Sequence, residues 1–196
     1  YLIENDWLDA IVQLPNDSFY NTGISTYIWI VNKDKPQERK GKVQLIDASK
    51  CCRSRKPIGN KRVDITKNSR DMIVQAYGEY RTETYEGTEE DGKPIVCKSK
   101  ILDGVSLGYR KVVVETPIYN ENGTPVLKRG KRVADTAKRD TENIPLTEEV
   151  EEYIFREVLP YNPDAWVDEG KTKIGYEIPF ARTFYEYTPI EPSVEI

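Results

Sequence analysis

Apolar positions in the first fifty residues fall in three short runs: LDAIVQLP (residues 8–15), TYIWIV (26–31) and KVQLID (42–47). Each is rich in β-branched or aromatic side chains and bounded by polar or turn-forming residues, which is the pattern of strands. In the second run Tyr27, Trp29 and Val31 alternate with Ile28 and Ile30, so both faces are apolar and the spacing predicts a strand covered on both sides. The connection to the third run, NKDKPQERKGK, is charged and carries Pro36 and Gly41. That composition predicts a solvated hairpin loop, with the second and third strands paired antiparallel.

Helical spacing appears next in SRDMIVQAYGEY (69–80), where Met72, Ile73, Ala76, Tyr77 and Tyr80 share one stripe, Ser69 offers an N-cap and Gly78 an end. Residues 81–100 show no period and read as a mobile loop. YRKVVVETPIY, Asn122-Gly123 and TPVLK read as an irregular or edge hairpin, since Pro117 and Pro125 each remove a ladder donor. The cationic stretch up to Asp140 has no apolar face and reads as a surface linker. A second helix is predicted from an N-cap at Thr147, with Glu148, Glu149 and Glu151 favourable in its first turn. Val150, Tyr153, Ile154 and Val158 form its buried face and Pro160 its stop. The remainder is aromatic and turn-rich. The chain thus reads as segments 1–50, 51–140 and 141–196, with no internal repeat.

Composition narrows the chemistry. With 196 residues, 38% apolar and 32% charged, and a mean hydropathy of -0.66, the chain fits one domain with appendages and predicts a soluble protein. No run approaches the roughly 18 apolar residues of a spanning helix, so no membrane partner is expected. The chain begins with Tyr1 rather than Met, which predicts a piece of a longer protein. Histidine is absent, which removes imidazole-based mechanisms, and no CxxC pair suggests zinc. Cys51 and Cys52 are adjacent, a geometry that disfavours a relaxed disulfide, so a reduced, cytoplasmic setting is expected.

The net charge of -4 argues against indiscriminate attraction to nucleic acid, but charge is locally segregated. Lys50 to Arg62 holds six cations and no acid, and Lys128 to Arg139 six cations against Asp135. Arg53, Arg55, Lys56, Lys61 and Arg62 are candidates for DNA-backbone contact, with a solvated loop as the plain alternative. The carboxylate pairs Glu89/Glu90 and Glu151/Glu152 read as solvated, and no metal site is expected. Trp166, Tyr176, Phe180, Phe184, Tyr185 and Tyr187 suit core packing or an assembly face.

The segment FYNTG, Phe19 to Gly23, places two aromatics beside a short polar turn. Such rings either fill a core beneath a turn or offer a stacking surface to a base removed from its duplex. A strand ending in LP, this NTG turn and then TYIWIV resemble the target-base end of adenine-specific N6 DNA methyltransferases, the modification subunits of type I restriction-modification systems. The resemblance continues through KVQLIDAS, GNKR, LGYRKVVVE, DTENIPL, REVLPYNPDAWVDE and KTKIGYEIPFARTFYEY.

That resemblance implies an α/β fold: the C-terminal part of a Rossmann-like methyltransferase sheet ending in an antiparallel hairpin, followed by an irregular α+β appendage. It also implies that Phe19, Tyr20, Asn21 and Thr22 border a pocket for the target adenine. S-adenosylmethionine would be bound by an N-terminal part absent from this sequence, because neither the donor-binding glycine loop nor the Asn-Pro-Pro-aromatic motif is found. Asn162-Pro163-Asp164 lacks the second proline and the aromatic. No catalytic residue is assigned, and these residues alone are expected to transfer no methyl group. The implied partners are DNA, a specificity subunit and a restriction subunit, with room for a second modification subunit. The alternative is a structural module that docks the specificity subunit and the DNA backbone without a direct catalytic role.

Overall fold

The computed structural model describes residues 1–187. The chain divides into two compact units, one formed by Tyr1–Asp103 with the segment that begins at Pro179, the other by Gly104–Ile178. The boundaries expected at residues 50 and 140 fall inside these units. Both units mix strands and helices, with strands in the majority.

The first unit is built on β1 (Leu8–Gln13), β2 (Tyr27–Val31), β3 (Lys42–Lys50), a separate hairpin of β4 (Arg53–Ile58) and β5 (Lys61–Asp64), helix α1 (Lys67–Glu79), β6 (Glu83–Thr88) and β7 (Pro94–Asp103). Five of the strands form one sheet in the order β2-β1-β3-β7-β6. β1 pairs antiparallel with β2 and parallel with β3. Apolar residues of the sheet, among them Val12, Ile46, Ala48, Ile95 and Cys97, pack with Met72 and Ala76 of α1.

This order corrects two expectations. β1 lies between β2 and β3, so the antiparallel hairpin joins the first and second strands, and the predicted pairing of the second with the third does not form. Nor is the connection simply solvated, because two of its cations are buried. Lys35 reaches Asp6 at 2.6 Å and donates to the Lys42 carbonyl at 2.7 Å. Arg39 meets Asp9 at 3.3 Å and donates to the Tyr77 carbonyl at 2.6 Å, its guanidinium lying over the Tyr77 and Tyr80 rings. These interactions fasten the crossover that carries the chain from the edge back to a strand parallel to β1. The second correction concerns β2 itself. As the sheet edge it leaves Tyr27, Ile28, Trp29 and Val31 exposed by about half, while Ile30 packs against the cluster that faces α1.

α1 carries the predicted stripe but not the predicted ends. Thr66 is the N-cap, its hydroxyl accepting from the Ser69 amide, and the helix runs through Gly78 to a left-handed Tyr80 at φ 51°. Ser69 is buried in the first turn and donates to Glu89 at 2.5 Å, while Thr66 donates to the same carboxylate at 2.7 Å. Glu89, expected in solvent, is therefore a buried anchor only 3% exposed; Glu90 is exposed. Residues 81–100 are not a loop. They hold the β6–β7 hairpin, whose inward positions on β7 are Ile95, Cys97 and Ser99. A polar inward residue and a largely exposed β6 hide the alternation from a hydropathy reading.

In the second unit β8 (Gly108–Glu115) is followed by the two-residue strands β9 (Leu127–Lys128) and β10 (Lys131–Arg132), then β11 (Asp140–Pro145), α2 (Val150–Glu157), β12 (Trp166–Val167) and β13 (Lys173–Tyr176). β8 is central, paired antiparallel with β11 on one side and with β12 and β13 on the other. β8 takes no part in the expected hairpin, which forms in a short irregular version beyond it: Tyr119 bridges Pro125 antiparallel, the Val126 amide donates to the Ile118 carbonyl, and the turn closes between Asn120 and Thr124 around Gly123. Val112, Val114, Ile144, Ile154 and Ala165 make the core. α2 starts after Glu149 without a side-chain cap, so Thr147 is not its N-cap. The stretch 128–139 contains β9–β10 turns, and Arg139 pairs with buried Glu115 at 2.8 Å.

α3 (Phe180–Phe184) belongs to the first unit. The buried Phe180 ring stands edge-on to Tyr27 at 5.3 Å, Lys100 donates to the Thr183 carbonyl, and Lys98 pairs with Glu186 at 2.7 Å. Lys98 and Lys100 alternate with Cys97 and Ser99, which face α1, so the α3 segment covers the opposite face of the sheet. The C-terminal aromatics thus divide: Phe180 is core, Trp166, Tyr176 and Phe184 are half-buried, and Tyr185 and Tyr187 are exposed.

Candidate nucleic-acid interface

The segment joining β1 to β2 is closed at its base by Leu14 N–H donating to the Thr26 carbonyl at 2.8 Å. A side-chain relay from Gln13 through Ser25 to Asn16 adds to the closure. Above that base Ser18 is buried and donates to the Pro15 carbonyl, and Asp17 adopts φ 58°. The chain turns at the tip, where Phe19 and Thr22 form an isolated bridge. Phe19 and Tyr20 are 47% and 55% exposed, so they present their rings outward rather than filling a core. Asn21 is exposed and Thr22 half-buried, its hydroxyl accepting from the Ile24 amide. The four residues named from sequence therefore lie together on one turn.

The basic hairpin β4–β5 docks on this same turn. Asn60 N–H donates to the Tyr20 carbonyl at 3.0 Å, and Arg62 N–H donates to the Asp17 carbonyl at 2.9 Å. Lys61 Nζ lies 5.4 Å from the centre of the Tyr20 ring. Gly59 sits at φ +58°, and a Cβ there would come 2.8 Å from the Tyr20 carbonyl oxygen. Only glycine fits both that conformation and that approach.

The five cations of the hairpin are not equivalent. Arg55 and Lys61 each lie 3.2 Å from Asp64 Oδ1, and Arg53 lies 3.6 Å from Glu90. Burial pushes the Asp64 carboxyl up, but the hydrogen bonds and charges of Lys61 and Arg55 outweigh it and hold the group below the usual carboxylate range. Lys56 and Arg62 are exposed, and among the described residues neither forms an ion pair. These two can offer their full charge to a phosphate. In the second basic run Arg139 is held by Glu115, Lys138 lies 3.8 Å from Asp135, and Arg132 donates to the Asp164 carbonyl, which leaves it less free.

Asp17, Gly59 and Asn60 join the site without a distinguishing signal in the sequence. The Gly59-Asn60 pair is a turn signal that marks a hairpin tip, but nothing local says what the tip touches. No strand, glycine loop and helix succession that would cradle a nucleotide-like donor occurs among the described residues. The glycines at positive φ, such as Gly41, Gly59 and Gly92, sit in strand connections. No group of three or more acidic or cysteine side chains that could hold a metal is found among the described residues. No helix among them is long and apolar enough to cross a membrane.

Comparison with known proteins gives a consistent set of matches. The family model described as N6_Mtase, N-6 DNA Methylase, matches residues 1–107. Three relatives from Methanocaldococcus jannaschii are methylase subunits of type I restriction enzymes. The MjaIX subunit is 30% identical over 152 residues, 78% of this chain and 23% of its own length. The MjaVII subunit is 46% identical over 48 residues, 24% and 8% of the two chains, and the MjaVIII subunit 35% identical over 79 residues, 40% and 14%. The chain thus spans less than a quarter of the length of these relatives. A solved structure, the type I restriction-modification system methyltransferase subunit from Streptococcus thermophilus, aligns with 22% identity and a TM-score of 0.40, over 54% of this chain and 19% of that one.

Proposed function

The chain belongs to the N-6 DNA methylase family, and from that premise we propose that it supplies the target-base side of an adenine-N6 DNA methyltransferase of a type I restriction-modification system. The parent protein would transfer a methyl group from S-adenosylmethionine to adenine in DNA. The donor would be held outside these residues, so no step is assigned to them and alone they would transfer no methyl group. β1 and β2 would be the closing antiparallel strands of a Rossmann-like methyltransferase sheet.

One observation carries this reading: Phe19 and Tyr20 stand exposed on a turn that is hydrogen-bonded to a cationic hairpin. Methylating an amino group inside a duplex requires the base to leave the stack. A flat ring at the site then replaces part of its lost stacking, worth about 1–3 kcal/mol per base. Lys56 and Arg62 would hold the adjoining phosphates, with Arg53, Arg55 and Lys61 secondary because of their internal partners. Asn21 and Thr22 would supply the polar edge of the same pocket.

Phe19→Ala or Tyr20→Ala in the complete methylase assembly is expected to lower methyl transfer to the target adenine on the order of tenfold or more. Undiminished transfer by both variants contradicts the role.

The exposed apolar edge strand favours a second reading, in which the chain is an interaction module. Tyr27, Ile28, Trp29 and Val31 are 44–52% exposed, an unusual concentration on a sheet edge. On that reading the chain docks a specificity subunit, a restriction subunit or a second modification subunit, and touches DNA only through its backbone. Three free cysteines fit the cytoplasmic setting proposed for either reading.

A further inference from the structure

We propose that the Gly59–Asn60 tip of the β4–β5 hairpin is a positioning element, which couples phosphate contact by the hairpin to the placement of the Tyr20 ring against the extruded base. This inference rests on the reading that Tyr20 borders that base.

The interactions that join the two segments converge on Asp17 and Tyr20. The Asn60 and Arg62 amides donate to the Tyr20 and Asp17 carbonyls at 3.0 and 2.9 Å, and the Val63 amide approaches the Asp17 carbonyl at 3.4 Å. The Lys61 ammonium lies 5.4 Å from the Tyr20 ring centre. Gly59 closes the approach, because a Cβ would meet the Tyr20 carbonyl oxygen at 2.8 Å and φ +58° would strain any other side chain. That neighbour is backbone, so it can yield only if the turn moves.

Neighbouring cations of the hairpin differ in exposure. Lys61 is half-buried against Asp64 and Tyr20, whereas Arg62 and Lys56 are exposed to solvent. A phosphate held by Arg62 therefore fixes the strand whose backbone holds Asp17 and whose tip holds Tyr20. The Tyr20 ring is ordered by DNA-backbone contact before the base arrives, which lessens the ordering left for the extrusion step.

The test uses the complete methylase assembly and a duplex carrying 2-aminopurine at the target adenine, whose fluorescence rises on extrusion, with parallel titrations of DNA affinity against salt. Gly59→Ala is expected to lower the extrusion signal about tenfold, as strain of this kind displaces the turn. Affinity and its salt slope should stay within about twofold, because Lys56 and Arg62 remain on the surface. Undiminished extrusion in Gly59→Ala overturns the proposal. If extrusion and affinity fall together, Lys61→Met and Lys61→Arg decide: a loss in the first restored by the second sustains the coupling, and equal behaviour overturns it. Tyr20→Ala separates the two levels. Normal extrusion in Tyr20→Ala removes the base-side reading, whereas a defect there beside a normal Gly59→Ala removes only the coupling.

Discussion

Arg39 shows what single residues contribute that no pattern reveals. It sits in a charged run that reads as a solvent loop, yet it is 8% exposed and bound to Asp9, Gln44 and the Tyr77 carbonyl. Asp9 is buried too and also accepts from the Tyr77 hydroxyl at 2.6 Å. Replacing one member leaves an uncompensated charge in the interior, so Arg39→Met is expected to destabilise the fold by about 3–5 kcal/mol in urea unfolding. A loss below about 1 kcal/mol would place Arg39 among ordinary surface pairs. Asp9 and Tyr77 are 30 and 38 residues away, too far for local spacing to announce them. The exposed cations can be separated in the same way. Lys56→Gln with Arg62→Gln should weaken DNA binding similarly for all sequences and lower the salt slope by about 0.9 for each phosphate that is no longer neutralised. Arg55→Gln, which removes a partner of Asp64, should change the slope less. Equal slopes for both sets would remove the distinction.

Among the elements, the ones legible in sequence are those whose signal is local. LDAIVQ and YIWIV are strands as their pattern predicts, and the α1 stripe of Met72 and Ala76 faces the core. What sequence does not supply is pairing. β3 joins β1 on one side and β7, some fifty residues later, on the other, and hydropathy carries no record of that choice. The helix start differs because Thr66 and Ser69 both suit a cap, and a buried Glu89 twenty residues on engages both. FYNTG marks the aromatic turn as a candidate and the run of cations marks residues 50–62, but that this run folds as a hairpin and docks on the turn is not legible.

The β4–β5 hairpin also has a pH signature. Asp64 is held below the usual carboxylate range by Lys61 and Arg55 against the opposing effect of burial. A depressed folded value means that the ion pairs contribute stability above the unfolded aspartate value. That contribution is lost as pH falls through the folded value. Amide resonances of Asn60 and Arg62 should therefore hold steady from neutral pH down to about 4 and shift only below it. A transition near neutrality would point to another group.

For the whole molecule, the family assignment and the geometry converge on the first unit, which holds the turn, the basic hairpin and most of the matched residues 1–107. The central claim is that Phe19 and Tyr20 stand where a target adenine is received. The most direct measurement is photocrosslinking of the complete methylase assembly to a duplex with a photoreactive base in place of that adenine, with the adduct mapped by mass spectrometry. The account predicts an adduct on Phe19 or Tyr20 that disappears when the photoreactive base is moved one turn along the duplex. Adducts confined to other parts of the assembly, with the peptide spanning Asp17 to Gly23 unmodified, would contradict it.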